Sequence, residues 1–134
     1  KPTPHDMRDA HAQALDVLRL RASSRLFRLG DPAQVRAKVS FPVSGSWAQV
    51  PGVIVMYLDD YAGVPVDERW AGVVVAFNAT PWPVHQQVTA LRKADWELHP
   101  VQAHGADPVV RQARCDDGVL SIPGRTTAAF VWPR

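Results

Sequence analysis

The feature that most constrains this 134-residue chain is a change of period near residue 40. Beyond it, apolar residues come in short runs: "KVSFPV", "GVIVMYL", "GVVVAFNAT", "VHQQV", "WELHPV", "VRQARC", "GVLSI" and "TAAFVW". Each is rich in β-branched or aromatic residues and ends in turn chemistry such as "SGSW", "DDYAG", "TPWP", "HGADP" or "CDDG". No long helical period recurs among them. Twelve prolines in the chain fit many turns and loop-rich β structure, because proline supplies no backbone donor. "RCDDGVLSI" reads as a hairpin turning at Asp117–Gly118. Seven or eight short strands with no helix between them predict a mainly-β domain, an antiparallel β-sandwich of Greek-key type.

Before residue 40 the period is helical. Thr3 is a good N-cap, Pro4 suits the first helical position, and Asp6 completes a weak capping box. Met7, His11, Ala14, Leu15, Leu18 and Ala22 fall on one stripe, the side expected to face the sandwich. Leu20 falls off it, beside Asp9, Gln13 and Asp16, and Val17 widens the apolar arc. Apolar residues on two sides of a helix call for two neighbours, one of them missing from this chain. A second short helix follows Gly30, capped by Asp31 and started by Pro32, with Val35 and Val39 facing inward.

Between these helices lies "LRLRASSRLFRLGD", residues 18–31, with arginines at 19, 21, 25 and 28. Net charge is only +2, too little to steer a polyanion, and no helix-turn-helix or ribbon motif accompanies it. Residues 1–38 carry eight Lys/Arg against four Asp/Glu, and the remainder seven against nine. Nucleic acid is therefore an unsuitable partner. A membrane surface is equally unsuitable, because Ser23–Ser24 interrupts the amphipathic helix early. Arginine interleaved with leucine suits an interdomain face, where guanidinium groups pair with carboxylates and their stems cover apolar area. Val17, Leu20, Arg21, Arg25, Phe27 and Arg28 are the residues expected to make that contact.

Enzymatic chemistry has little to rest on. The pairs Asp59–Asp60, Asp67–Glu68 and Asp116–Asp117 sit at strand ends and turns, and read as turn-forming or solvated carboxylates. The five histidines show no H-x-x-x-H spacing, and Cys115 has no second cysteine, so neither a zinc site nor a disulfide is written here. Cys115 reads as a small, partly buried strand residue. No glycine-rich phosphate loop exists, and no cofactor is expected in this chain. The five tryptophans carry the main alternative. Aromatic faces stack on sugar rings, so Trp47, Trp70 and Trp82 are candidates for holding a glucan, as in a carbohydrate-binding module. The competing reading makes Trp96 and Trp132 core or edge residues and Trp82 of "PWP" loop packing.

Taken in order, "LRLRASSRLFRLGD", "VPGVIVMYLDD" (50–60), "VVVAFNAT" (73–80), "LHPVQAHGADPVVRQA" (98–113) and "PGRTTAAFV" (123–131) resemble the C-terminal part of pullulanase-type starch-debranching enzymes. These are α-1,6-glucosidases of the α-amylase superfamily. The resemblance spans nearly the whole chain. Arg25 departs from it, standing where proline commonly follows the two serines, as does the "SGSWAQ" loop at 44–49, in place of an Asn-Thr-Gly pattern. It implies that residues 1–30 are the end of the last helix of a catalytic (β/α)8 barrel and its exit, and that 31–134 form a C-terminal β-sandwich. It also implies that the nucleophile, acid/base and second aspartate lie on barrel strands. None of the barrel motifs, nor a Tyr-Asn-Trp-Gly run, occurs here, so no catalytic residue is assigned to any position. The implied partners are the barrel of the same parent chain and, through it, pullulan, starch or glycogen. Self-association through the bare helix face is the alternative cover. The first residue is Lys1 and no leader is legible, so a piece of a longer protein is expected. A secreted bacterial parent is one reading of its compartment, which the sequence leaves undecided.

Overall fold

The computed structural model describes residues 1–134. Eight strands form two antiparallel sheets. β1 (Val39–Ser40), β2 (Val53–Asp59), β3 (Trp70–Asn78), β5 (Glu97–Leu98) and β8 (Thr126–Pro133) make a five-stranded sheet ordered β1-β2-β3-β8-β5. β4 (Val84–Gln87), β6 (Arg114–Asp116) and β7 (Val119–Ile122) make a three-stranded sheet ordered β4-β7-β6. The β6–β7 hairpin turns at Asp117 and Gly118, both with positive φ (44° and 77°). That geometry is a type I′ turn, which Asp-Gly favours.

Two-residue periodicity sends alternate side chains of the large sheet to opposite faces. Val53, Val55 and Tyr57 of β2 point toward the small sheet, with Val74 and Ala76 of β3 and Ala128 and Phe130 of β8. They meet Leu120 and Ile122 of β7 in the larger core, and Trp96 closes one end. The Trp96 indole donates to the Leu91 carbonyl at 2.9 Å, and its ring packs edge-on to Tyr57. Gly72 lets the rings close up there, because a Cβ would come within 3.2 Å of the Tyr57 ring and 3.3 Å of Trp96 and push them apart by a few tenths of an ångström. Cys115 is a half-buried β6 residue packed against this core, and burial pushes its thiol up to about 12.

Helices do lie between the strands, contrary to expectation: 3-10 turns at Thr89–Lys93 and Val110–Gln112, and α3 at Pro100–Ala103. Proline explains α3. It follows the last ladder bond, from the His99 N–H to the Ala129 carbonyl, and starts a helical turn whose first N–H (Val101) is capped by the His99 ring. "VRQARC" accordingly begins as a turn and becomes a strand only at Arg114.

At the N-terminus α1 runs Pro4–Ser23, and the Thr3/Asp6 capping box forms in both directions. α2 (Pro32–Lys38) is capped by Asp31, whose side chain accepts from the Ala33 N–H. Val39, expected on the inner side of this helix, instead begins β1 and is half-buried there, and Val35 is exposed.

Candidate functional site

The helix ends because Ser24 adopts extended backbone geometry (φ −142°, ψ 145°). Its hydroxyl accepts from the Leu26 N–H, starting a 3-10 turn at Arg25–Arg28, and donates to an Asp67 carboxylate oxygen. The turn drops Leu26 onto the outer face of the five-stranded sheet. There it joins Leu58, Val73, Val75, Ala129 and Val131 in a second buried cluster. Leu20, Phe27 and Trp70 pack around it, half-buried.

α1 therefore faces the sandwich with the side that sequence reasoning gave to the missing neighbour. Leu20 points inward, while Val17 and Leu18 are 64% and 62% exposed and Met7 is bare. The reason is that the inward stripe is mixed: Gln13, Asp16, Leu20 and Ser23, at helical spacing. The Asp16 carboxylate accepts from the Ala106 N–H at 2.7 Å, and that bond holds its carboxyl below the usual range. Ser23 carries a polar relay. The Val101 N–H donates to His99 Nδ1 at 3.2 Å, so the ring proton lies on Nε2 and is donated to Ser23 Oγ at 2.9 Å. Ser23 Oγ donates in turn to the Leu20 carbonyl at 2.6 Å. The Arg69 guanidinium also donates to the Ser23 carbonyl. His99 is buried against Phe27 and Trp70; burial, helped by the nearby Arg69 charge, lowers its pKa to about 4.

This Ser–His pair is not a nucleophile and its base. A general base needs a free lone pair toward the hydroxyl, and here that nitrogen carries the proton. No carboxylate pairs with His99; Asp67 is engaged with Ser24 and with the backbone of Arg69 and Trp70. The arrangement fastens the helix to the sheet.

A second fastening was hidden in "DD". Asp59 remains at the surface, but Asp60 is fully buried, so the reading of these pairs as solvated fails at this residue. Its Oδ1 lies 3.0 Å from Lys38 Nζ, both side chains 0% exposed, and its Oδ2 lies 2.6 Å from Arg134. It also accepts from the Val66 and Asp67 N–H groups, and Lys38 donates to the Ala62 carbonyl at 2.6 Å. Burial pushes the Asp60 carboxyl up, but these hydrogen bonds outweigh it and hold the carboxyl below its ordinary value. The other acidic pairs form turns as read: Asp67 caps the 67–70 bend and Asp117 sits in the hairpin.

The outer face beyond the helix is the least covered apolar surface of the sheet. One cross-strand row, Leu58–Val73–Val131, lies in the buried cluster around Leu26. Four residues along, past the Met56–Val75–Ala129 row, Ile54–Phe77–Thr127 continues the same face in the open, with Ile54 48% and Phe77 38% exposed. Thr127 also lines a cleft of about 180 Å³ with Val17 and Leu20, so the bare row runs on to α1. Sequence reasoning found the helix side of this surface and missed the sheet side. The signal was present, because "VIVMYL" and "GVVVAF" are unbroken apolar runs, as in sheets covered on both faces.

Of the remaining predicted site residues, Arg21, Arg25 and Arg28 are exposed. Arg25 and Arg28 border one small cleft with Asp31 and Gln34. Trp70 lies half-buried at the helix junction, its indole N–H without an acceptor, and does not join the other two stacking candidates on an open surface. Trp47 and Trp82 are 99% and 71% exposed, so Trp82 is not loop packing. No three His, Cys, Asp or Glu side chains cluster closely enough to hold a metal ion, and no helix is long and apolar enough to cross a membrane.

Comparison with known proteins agrees over almost the entire length. Residues 1–133 match the family described as "Alpha-1,6-glucosidases, pullulanase-type, C-terminal". "Pullulanase 1, chloroplastic" of Arabidopsis thaliana is 39% identical over 127 residues, 90% of this chain and 13% of the relative. A pullulanase of Klebsiella pneumoniae is 40% identical over 82 residues, 60% of this chain and 7% of the relative. The crystal structure of PulA from Klebsiella oxytoca superposes on 99% of the chain, with a TM-score of 0.86, 30% identity and 13% of that chain covered. This chain thus spans about an eighth or less of the relatives it matches. It belongs to the family of C-terminal domains of pullulanase-type α-1,6-glucosidases.

Proposed function

We propose that this domain is the non-catalytic flank of a debranching enzyme that hydrolyses α-1,6-glucosidic linkages in pullulan, starch or glycogen. Its role is to pack on a catalytic (β/α)8 barrel in the same longer chain and to stabilise it. In this reading residues 1–30 are the barrel's last helix and its exit, and 31–134 the covering sandwich. The observation that carries it is the exposed apolar surface of Ile54, Phe77 and Val17, on β2, β3 and α1, uncovered within the chain. Natural sheets with a solvated face place polar residues there. The family supplies the occupant, since the relatives hold most of their length outside the matched segment. Leu20 and Phe27 support the surface from beneath, and Arg21, Arg25 and Arg28 meet carboxylates of the barrel at its rim. The role needs no cofactor in this chain.

Phe77→Asp tests the reading. It is expected to cost the 134-residue chain about 1 kcal/mol, from lost partial burial and strand preference, and the longer protein roughly 2–4 kcal/mol more, because the carboxylate would be buried without a partner. Equal effects in chemical denaturation of the two would overturn it. The longer protein is expected to release reducing sugar from pullulan, and the 134-residue chain none.

A further inference from the structure

The loop after β1 carries a feature that the barrel-covering role does not use. Residues 41–50 make successive tight turns, with backbone bonds from Ser44 to Phe41, Ser46 to Val43 and Gln49 to Ser46. Gln86 of β4 fastens the loop from the core. Fully buried, its side-chain amide donates to the Ala48 carbonyl at 3.0 Å and accepts from the Val50 N–H at 2.7 Å. Val43 anchors the other side of the loop in the core. Between these anchors Trp47 is 99% exposed, an indole presented to solvent by a loop tied down on both flanks. The loop is fixed while the ring itself is unpacked, so both indole faces are open to a stacking ligand.

Trp47 also borders a cleft of about 500 Å³, floored by Val43 and edged by Ser46, His85, Gln87 and Thr89. No Asp, Glu, Lys or Arg lines it. An uncharged cleft with an aromatic wall and hydroxyl, amide and imidazole groups matches a neutral polyhydroxylated ligand. The C–H face of a pyranose ring stacks on the indole, and its hydroxyls exchange hydrogen bonds with the polar rim. Phosphorylated or acidic ligands find no counter-charge there. We propose that the Trp47 cleft is a secondary saccharide-binding site, and that its ligand is a linear α-linked glucan chain. The choice of α-glucan rests on the debranching reading of the parent; the saccharide platform rests on the loop alone. Trp70 and Trp82 take no part, since neither lines this cleft.

The test is titration of the 134-residue chain with maltoheptaose, read by the tryptophan indole N–H resonances. Saturable movement of the Trp47 signal is expected, with Kd on the order of 1 mM. Trp47→Ala is expected to weaken binding at least about tenfold with an unchanged melting curve, because the ring contributes nothing to the core. Trp82→Ala is expected to bind like the parent sequence. An unmoved Trp47 signal overturns the platform, even where the longer protein hydrolyses pullulan. Stronger binding of cellohexaose than of maltoheptaose overturns the α-glucan assignment. Maltoheptaose bound at Trp47 alongside a longer protein inactive on pullulan upholds the site and removes the debranching reading, so the two fail separately.

Discussion

The two faces of the five-stranded sheet are built from the same strands and closed by different physics. On the inner face Val53, Val55, Val74, Ala76, Ala128 and Phe130 meet the small sheet and leave almost no surface in water. Buried apolar area carries that interface, at about 1.5–3 kcal/mol for each fully buried aliphatic side chain. On the outer face the buried apolar cluster is less than half as large. What holds the helical segments there is a set of polar pins: Asp16 on the Ala106 N–H, Ser23 on His99, Ser24 on Asp67, and Lys38 with Arg134 on Asp60. A layer attached by few polar contacts is orientable and specific, but it fails when a single partner is removed or protonated. The comparison predicts where the chain is brittle.

The largest effect is expected at Lys38. Replacing it with methionine keeps the volume and removes one of the two cations at the Asp60 carboxylate, leaving Arg134. Breaking a buried pair so that the remaining charge has no partner costs roughly 3–5 kcal/mol. With Arg134 still in place, denaturant unfolding of Lys38→Met is expected to show a loss at the lower end of that range. The double variant Lys38→Met, Asp60→Leu should recover part of it, though the Val66 and Asp67 N–H groups then lose their acceptor. A single variant as stable as the parent sequence would mean that the outer layer does not depend on its pins.

Next comes the His99 relay, which ties the outer face to pH. The folded state favours the neutral ring, with a pKa near 4 against 6.5 in the unfolded chain. A depressed histidine contributes stability that is complete above about pH 6.5 and is lost as pH falls toward 4, because the unfolded chain takes up the proton first. The loss over that window is at most about 3 kcal/mol. Asp60, Asp16 and Asp6, whose carboxyls are lowered, begin to give up stability only near about pH 5, so the upper part of the window reports His99. Unfolding free energy measured across this range is expected to slope downward with acid, and His99→Gln to flatten the slope. A flat curve for the parent sequence would break the assignment.

What the sequence disclosed follows the same division. The strands of the inner face were legible because their apolar runs are short, β-branched and bounded by Gly, Pro and Asp. Every one of the eight runs contains strand residues. The capping residues Thr3 and Asp31 and the Asp117–Gly118 turn were legible because each is a local device. The pins were not, because each joins residues far apart in the chain: Ser23 to His99 across 76 positions, Lys38 to Asp60 across 22. "DD" looks alike whether its second carboxylate is solvated or buried. Nor does a hydrophobic stripe mark the inward side of a helix that attaches through Asp16 and Ser23.

The smallest effects separate the two sides of α1 most directly. A stripe drawn from apolar residues alone places Leu18 inward and Leu20 outward, so it expects Leu18→Asp to damage the chain and Leu20→Asp to be tolerated. The observed packing expects the reverse. Leu20 touches the outer-face cluster around Leu26, and a carboxylate there forfeits apolar burial without gaining a cation. A cost of about 1–3 kcal/mol follows for this half-buried position. Leu18 is already mostly in water, and Leu18→Asp should stay within about 0.5 kcal/mol. Both positions lie in the C-terminal part of the helix, so the unfavourable interaction of a new carboxylate with the negative helix end is nearly common to them and cancels in the difference. Denaturant melts of the two variants in the 134-residue chain measure that difference. Equal costs would mean that the helix packs as the stripe suggests, or not at all. A selective loss at Leu20 leaves Val17 and Leu18 as the side of α1 turned away from the sandwich. Leu18→Asp made in the longer protein then reads, at the same position, how much of that side the rest of the chain covers.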